Sequence, residues 1–201
     1  MAEQSGTKRA LRIVARRRIV RPRDLEAQGI PREYLLRLYR RGLLNRTSRG
    51  LYVLAEVPVT ENHGLAVAAK QMPNGVICLL SALRFHGLTT QEPHEVWIAV
   101  DNKASQRRVS WPALRIVRFS GPALTEGIER HLIEGVRVRM FGAAKTVADC
   151  FKYRNKIGVD VAIEALKDAL RRNKATVDEI HSFAKVCRVA RVIRPYLEAV
   201  A

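Results

Sequence analysis

A mixed α+β architecture follows from the order in which helical and extended patterns succeed one another along these 201 residues. Helical stretches and a hairpin fill the first 56 residues. Short β-prone runs then recur near 75–80, 95–100, 114–119 and 136–141, and helical periodicity takes over from 143 onward. With 47% hydrophobic residues the chain has ample material for a packed core, and neither internal repeats nor low-complexity segments interrupt it.

From Thr7 to Arg16, Ala10, Leu11, Ile13 and Val14 recur at helical spacing with arginines between them. Arg18-Ile19-Val20 is β-branched and reads as a short extended connector. Pro22 opens a second helix, with Asp24 in the first turn, and Gln28-Gly29 ends it. Pro31 opens a third helix that runs to Arg41 and stops at Gly42. At about 100° per residue, burying Leu35 and Leu38 turns Glu33, Leu36, Arg37 and Arg40 outward, with Arg32 and Arg41 on the flanks. Leu43–Arg46 and Leu51–Leu54 then read as two strands around Thr47-Ser48-Arg49-Gly50. Helix, turn, helix and hairpin in this order predict a winged helix-turn-helix over residues 1–56.

Pro58 marks a linker, and residues 57–201 are expected to form a mixed α/β C-terminal domain with a helical end. Residues 61–70 read as a helix, and Ser81 as the cap of another ending at His86. Helices are expected at 143–155, 159–172 and 176–187, with a last piece around 191–200.

The formal net charge is +17, which points to a polyanionic partner: DNA, RNA or an anionic membrane. Residues 1–56 carry 14 Lys and Arg against 5 Asp and Glu, so the first quarter of the chain holds about half the excess. Arginine dominates there and suits bidentate contacts to phosphate and guanine. The expected DNA-binding residues are Arg16, Arg17, Arg18 and Arg21; Arg32, Leu36, Arg37, Arg40 and Arg41 on the third helix; and Arg46, Ser48 and Arg49 on the hairpin. No apolar run approaches membrane-spanning length and no signal peptide is evident, so a cytoplasmic location is expected.

Chemistry finds little purchase. Cys78, Cys150 and Cys187 are widely spaced and read as buried thiols, and the five histidines form no ligand pair at helical spacing. No catalytic, cofactor or metal site is therefore expected. Gly142-Ala143-Ala144-Lys145-Thr146 resembles the end of a phosphate-binding loop, but Ala144 replaces the glycine that precedes the lysine. Glu95 with Asp101-Asn102-Lys103 loosely matches the acidic-x-lysine arrangement of Mg²⁺-dependent nucleases, although Asp-Asn at a strand end is more often a turn. Arg115, Arg118, Arg137 and Arg139 on the later strands leave RNA binding open.

Arg21-Pro22-Arg23-Asp24-Leu25, Gly29, Tyr34-Leu35, Leu38, Gly42-Leu43-Leu44 and Arg49-Gly50-Leu51-Tyr52 together resemble the winged-helix domain of AbiEi antitoxins of type IV toxin–antitoxin (abortive infection) systems. Ser81-Ala82-Leu83 with His86-Gly87-Leu88-Thr89, Lys145-Thr146-Val147-Ala148-Asp149-Cys150, and Ala162 to Leu170 resemble later segments of that family. The likeness runs from about 8 to 175. It implies a prokaryotic phage-defence repressor that binds inverted repeats in double-stranded operator DNA and controls its own operon. It also implies antagonism of a nucleotidyltransferase toxin without a tight complex. The alternatives are a Mg²⁺-dependent nuclease with a DNA-targeting wing, or a stand-alone regulator. Monomer and weak dimer are both compatible with the sequence.

Overall fold

The computed structural model describes residues 2–105 and 109–200, with side chains from Gly6 onward. Its elements are mixed α and β, and they group into two compact units. The first comprises Met1–Pro73 with Arg108–Pro112 and Leu132–Val138; the second comprises the remaining residues through Ala201.

The first unit opens with helices α1 (Ala2–Arg17), α2 (Pro22–Glu26) and α3 (Glu33–Arg40), followed by strands β1 (Leu44–Ser48) and β2 (Leu51–Leu54). Ala10 and Val14 of α1 meet Leu25, Ile30, Leu35, Leu38, Leu44 and Tyr52 in one small core. Of the connector expected to be extended, Val20 alone pairs, exchanging both backbone hydrogen bonds with Tyr52 at 3.0 Å beside β2; Arg18 instead turns the chain out of α1 at φ +60°, its N–H bonding the Val14 carbonyl. Gly42, at φ +72°, ends α3. The Leu43 N–H bonds the Leu38 carbonyl and the Gly42 N–H bonds that of Tyr39, a closure that requires the left-handed residue glycine supplies.

Helix α4 (His63–Gln71) completes this unit. The ring of His63 lies against Trp111, with centroids 5.6 Å apart, and its Nδ1 is 2.6 Å from the Glu134 carboxylate. Glu134 also accepts from the N–H and hydroxyl of Thr60. Burial alone would raise the Glu134 pKa, but the hydrogen bonds from His63 and Thr60 outweigh it and hold the carboxyl below its usual range.

The second unit is built on a five-stranded sheet of order β5-β4-β3-β7-β6. The strands are β3 (Val76–Ile77), β4 (Val96–Asp101), β5 (Leu114–Phe119), β6 (Ile128–Ile133) and β7 (Val136–Phe141), the tip of the β6–β7 hairpin being counted with the first unit. β4 runs parallel to β5 and β3 parallel to β7, while β3 and β4 are antiparallel. Helices α5 (Leu79–His86), α9 (Val159–Arg171), α10 (Val177–Val186) and α11 (Ala190–Val200) surround α7 (Ala143–Lys152), of which only Lys152 is not buried. The short helices α6 (Pro122–Thr125) and α8 (Arg154–Ile157) complete the set.

The sequence reading missed β6, and the reason is physical. As an edge strand it has one neighbour, and Glu129, Arg130 and His131 sit consecutively in it, erasing the alternation that marks a half-buried strand. The expected Ser81 cap is also corrected. α5 starts two residues earlier, after Cys78, and the Ser81 hydroxyl accepts the Trp97 N–H at 2.9 Å, tying helix to strand.

Candidate nucleic-acid interface

Helix α3 buries Leu35 and Leu38 at 1% and 0% exposure, so the opposite face must meet solvent. That face carries Arg32, Leu36, Arg40 and Arg41, all exposed, with Glu33 among them. Arg37 is half-buried, its guanidinium lying 5.4 Å over the ring of Tyr34. Glu33 is 3.7 Å from Arg32, a solvated contact that neutralises one cation of the group. Leu36 is 43% exposed and takes no part in the core beneath it. Tyr39, comparably exposed, instead meets Tyr52 edge to face, with ring centroids 6.1 Å apart.

The hairpin divides its residues. Arg46 and Arg49 are exposed, Arg49 at the turn between β1 and β2. Ser48 is turned the other way and corrects the sequence reading. It is 7% exposed, 3.1 Å from the Ser110 hydroxyl, and accepts from the Gln71 amide at 3.2 Å. A bulge between Arg46 and Ser48 shifts the alternation and turns it inward. Gln71 also donates to the Trp111 carbonyl, so Ser48 belongs to an internal network.

The arginines around the α1–α2 junction divide likewise. Arg16 and Arg18 are exposed. Arg17 pairs with Asp24 at 3.5 Å, and the Arg21 guanidinium donates to the Lys70 carbonyl. Asp24 also accepts the Arg21 N–H and pairs with Lys70 at 3.1 Å. Burial pushes the Asp24 carboxyl upward, but these partners prevail and hold it below its ordinary value. Arg17 and Arg21 therefore brace the module as well as charging it. The sequence reading overlooked exposed Lys8, Arg9, Arg12 and Arg23. Extending the helical wheel back from Arg16 in steps of four finds Arg12 and Lys8.

In the second unit, the residues that suggested other chemistry serve the fold. Lys145 is fully buried, with its ammonium 2.6 Å from Asp149 and 4.0 Å from the Phe141 ring centroid. The Cys187 thiol donates to the other Asp149 oxygen at 3.1 Å. Burial pushes the Asp149 carboxyl up against the pull of Lys145, and burial together with Asp149 drives the Cys187 thiol up to about 12. A lysine so enclosed is not offered to a phosphate. All three cysteines are free and buried.

Asp101 accepts the Lys103 N–H at 2.8 Å, the turn its sequence suggested, and Arg118 donates to the Asp101 and Ala104 carbonyls. Among the described residues no group of three or more His, Cys, Asp or Glu is placed to hold a metal ion, and no helix is long and apolar enough to cross a membrane. Of the strand arginines, Arg139 bonds the Asn74 carbonyl and Arg115 lies over Trp97.

The fold and this surface together define an α+β protein that carries a compact, arginine-rich helical module closed by a hairpin. Within that module, residues 8–55, about a quarter of the sequence, match the family described as "Transcriptional regulator, AbiEi antitoxin". The fold is similar to that of the RV2827C protein from Mycobacterium tuberculosis, with a TM-score of 0.53 at 14% identity over 96% of this chain and 81% of that one. At that identity the likeness is one of fold alone. No curated protein sequence matches this chain.

Proposed function

We propose that residues 1–56 act as a winged helix-turn-helix that binds duplex DNA sequence-specifically. The chain represses transcription of its own operon from inverted repeats and serves as the antitoxin of a type IV toxin–antitoxin pair. The observation that carries this reading is the outward face of α3, where Arg32, Arg40 and Arg41 surround an exposed Leu36 while Leu35 and Leu38 anchor the helix from behind. A helix of this kind fits a major groove, its arginines reaching guanine edges or phosphates and its leucine reaching apolar base edges. Arg46 and Arg49 contact the backbone from the hairpin, with Arg16, Arg17, Arg18 and Arg21 adding positive charge near it. The match of residues 8–55 to the AbiEi antitoxin family supports the antitoxin role, and the counterpart is a nucleotidyltransferase toxin opposed without a stable complex.

Selection from a random duplex pool, followed by anisotropy titration of the enriched sequence, tests the DNA reading. Enrichment of a defined site is expected, with affinity falling steeply as salt rises, by about 0.9 in log–log slope per phosphate neutralised. Arg49→Ala should lower that slope by about one phosphate's worth while preserving site preference. A pool that yields no preferred duplex removes the proposal.

A further inference from the structure

We infer that the outer face of α1 is a second DNA-binding surface, one that holds backbone phosphates flanking the site read by α3. Ala10 and Val14 fix which side of α1 is buried, and on the far side Lys8, Arg12 and Arg16 line up at intervals of four residues, all exposed. Like charges at this spacing are neighbours one turn apart, and each such pair destabilises a helix. The one acid in the sequence of α1, Glu3, is five residues before Lys8, outside the spacing at which helix neighbours meet, and from Gln4 to Arg23 there is no Asp or Glu. None of the three has an ion-pair partner among the described residues, whereas Arg17, on the inner side, is paired with Asp24. Arg9 extends the same face and reaches the Gln28 carbonyl only at 3.4 Å.

A helix that keeps a column of mutually repelling cations, with no compensating contact, sacrifices local stability for something outside itself. A polyanion relieves that repulsion. A rigid column with charges one helical turn apart suits the regular phosphates of a duplex. The side chains on this face are cationic or small, without an aromatic ring to stack on unpaired bases, which favours a duplex over single strands. The contact adds affinity and footprint but no base preference.

The inference rests on the DNA reading above, and one experiment separates the two. Anisotropy titrations compare the wild type with the K8A/R12A variant on the selected site. The site is embedded in a duplex of about one helical turn and in another of about three turns. The expected result is a shallower salt slope for the variant on the long duplex, by up to about 1.8 for two phosphates, with little change on the short one and an unchanged ranking of base-substituted sites. The variant should also melt at the same temperature as the wild type or slightly above it, since repulsion has been removed. An unchanged slope on the long duplex, a reordered ranking of sites, or a marked loss of thermal stability overturns this inference while leaving the α3 reading intact. Failure of the wild type to bind any duplex overturns both.

Discussion

Both units carry cations on their surfaces, but among the described residues only the second also buries one. In the first, Lys8, Arg12, Arg16, Arg32, Arg40, Arg41, Arg46 and Arg49 stand on the surface, most with no carboxylate beside them. In the second, Lys145 is sealed at 0% exposure between an aspartate and the rings of Phe119 and Phe141. Exposed arginines stay hydrated, contribute little to folding, and leave their field available to a partner. A buried ammonium has lost its water and depends entirely on Asp149. The difference separates cations kept for binding from a cation kept for structure, and each side of it can be tested.

The largest effect is expected at the buried pair. Lys145→Met or Asp149→Asn alone should destabilise the chain by about 3–5 kcal/mol, because either strands an unpaired polar group in the core. The double replacement Lys145→Met with Asp149→Leu should recover much of that loss in urea unfolding. Single variants as stable as the wild type would show that Lys145 is not structural. Next comes Arg40→Ala, expected to cost about 1–3 kcal/mol of operator affinity if its contact is to bases, with the unfolding midpoint unmoved. A shifted midpoint with intact affinity would move Arg40 to the structural side.

A smaller effect concerns pH. The Glu134 carboxyl is held below its ordinary value, so its stabilising contribution is complete above that ordinary value and is lost as pH falls through the depressed one. Acid unfolding of the wild type should therefore include a component that Glu134→Gln lacks, measured by fluorescence of the nearby Trp111. The smallest effect is at Leu36. If its exposed side chain meets a thymine methyl, replacing that thymine with deoxyuridine should cost about 0.8 kcal/mol, and Leu36→Ala should abolish the difference. A site tolerant of deoxyuridine at every position would leave Leu36 as plain surface.

Much of the first unit was legible because its signals are local. Pro22, Gly29, Gly42 and Gly50 punctuate it, and the Leu35–Leu38 spacing determines which side of α3 is outward. Ser48 was misread because an alternating pattern cannot reveal a bulge, and its partners Gln71 and Ser110 lie 23 and 62 residues away. Lys145 and Asp149 were visible as a motif, but not as a core pair. Four residues apart on a helix, they would usually be a solvated surface pair, and it is the packing of α5, α9, α10 and α11 around α7 that encloses them. β6 escaped notice because edge strands dispense with the alternation that betrays central ones.

The first unit is not contiguous in sequence. His63 needs both Trp111 and Glu134, and Ser48 needs Ser110, so its last contribution arrives with residues 132–138. A nascent chain therefore holds the whole arginine-rich segment long before it can finish folding around it. Residue 138 of these 201 must be made first. The small core of residues 10–54 is complete before that, and the later segments add the contacts of His63 and Ser48 around it.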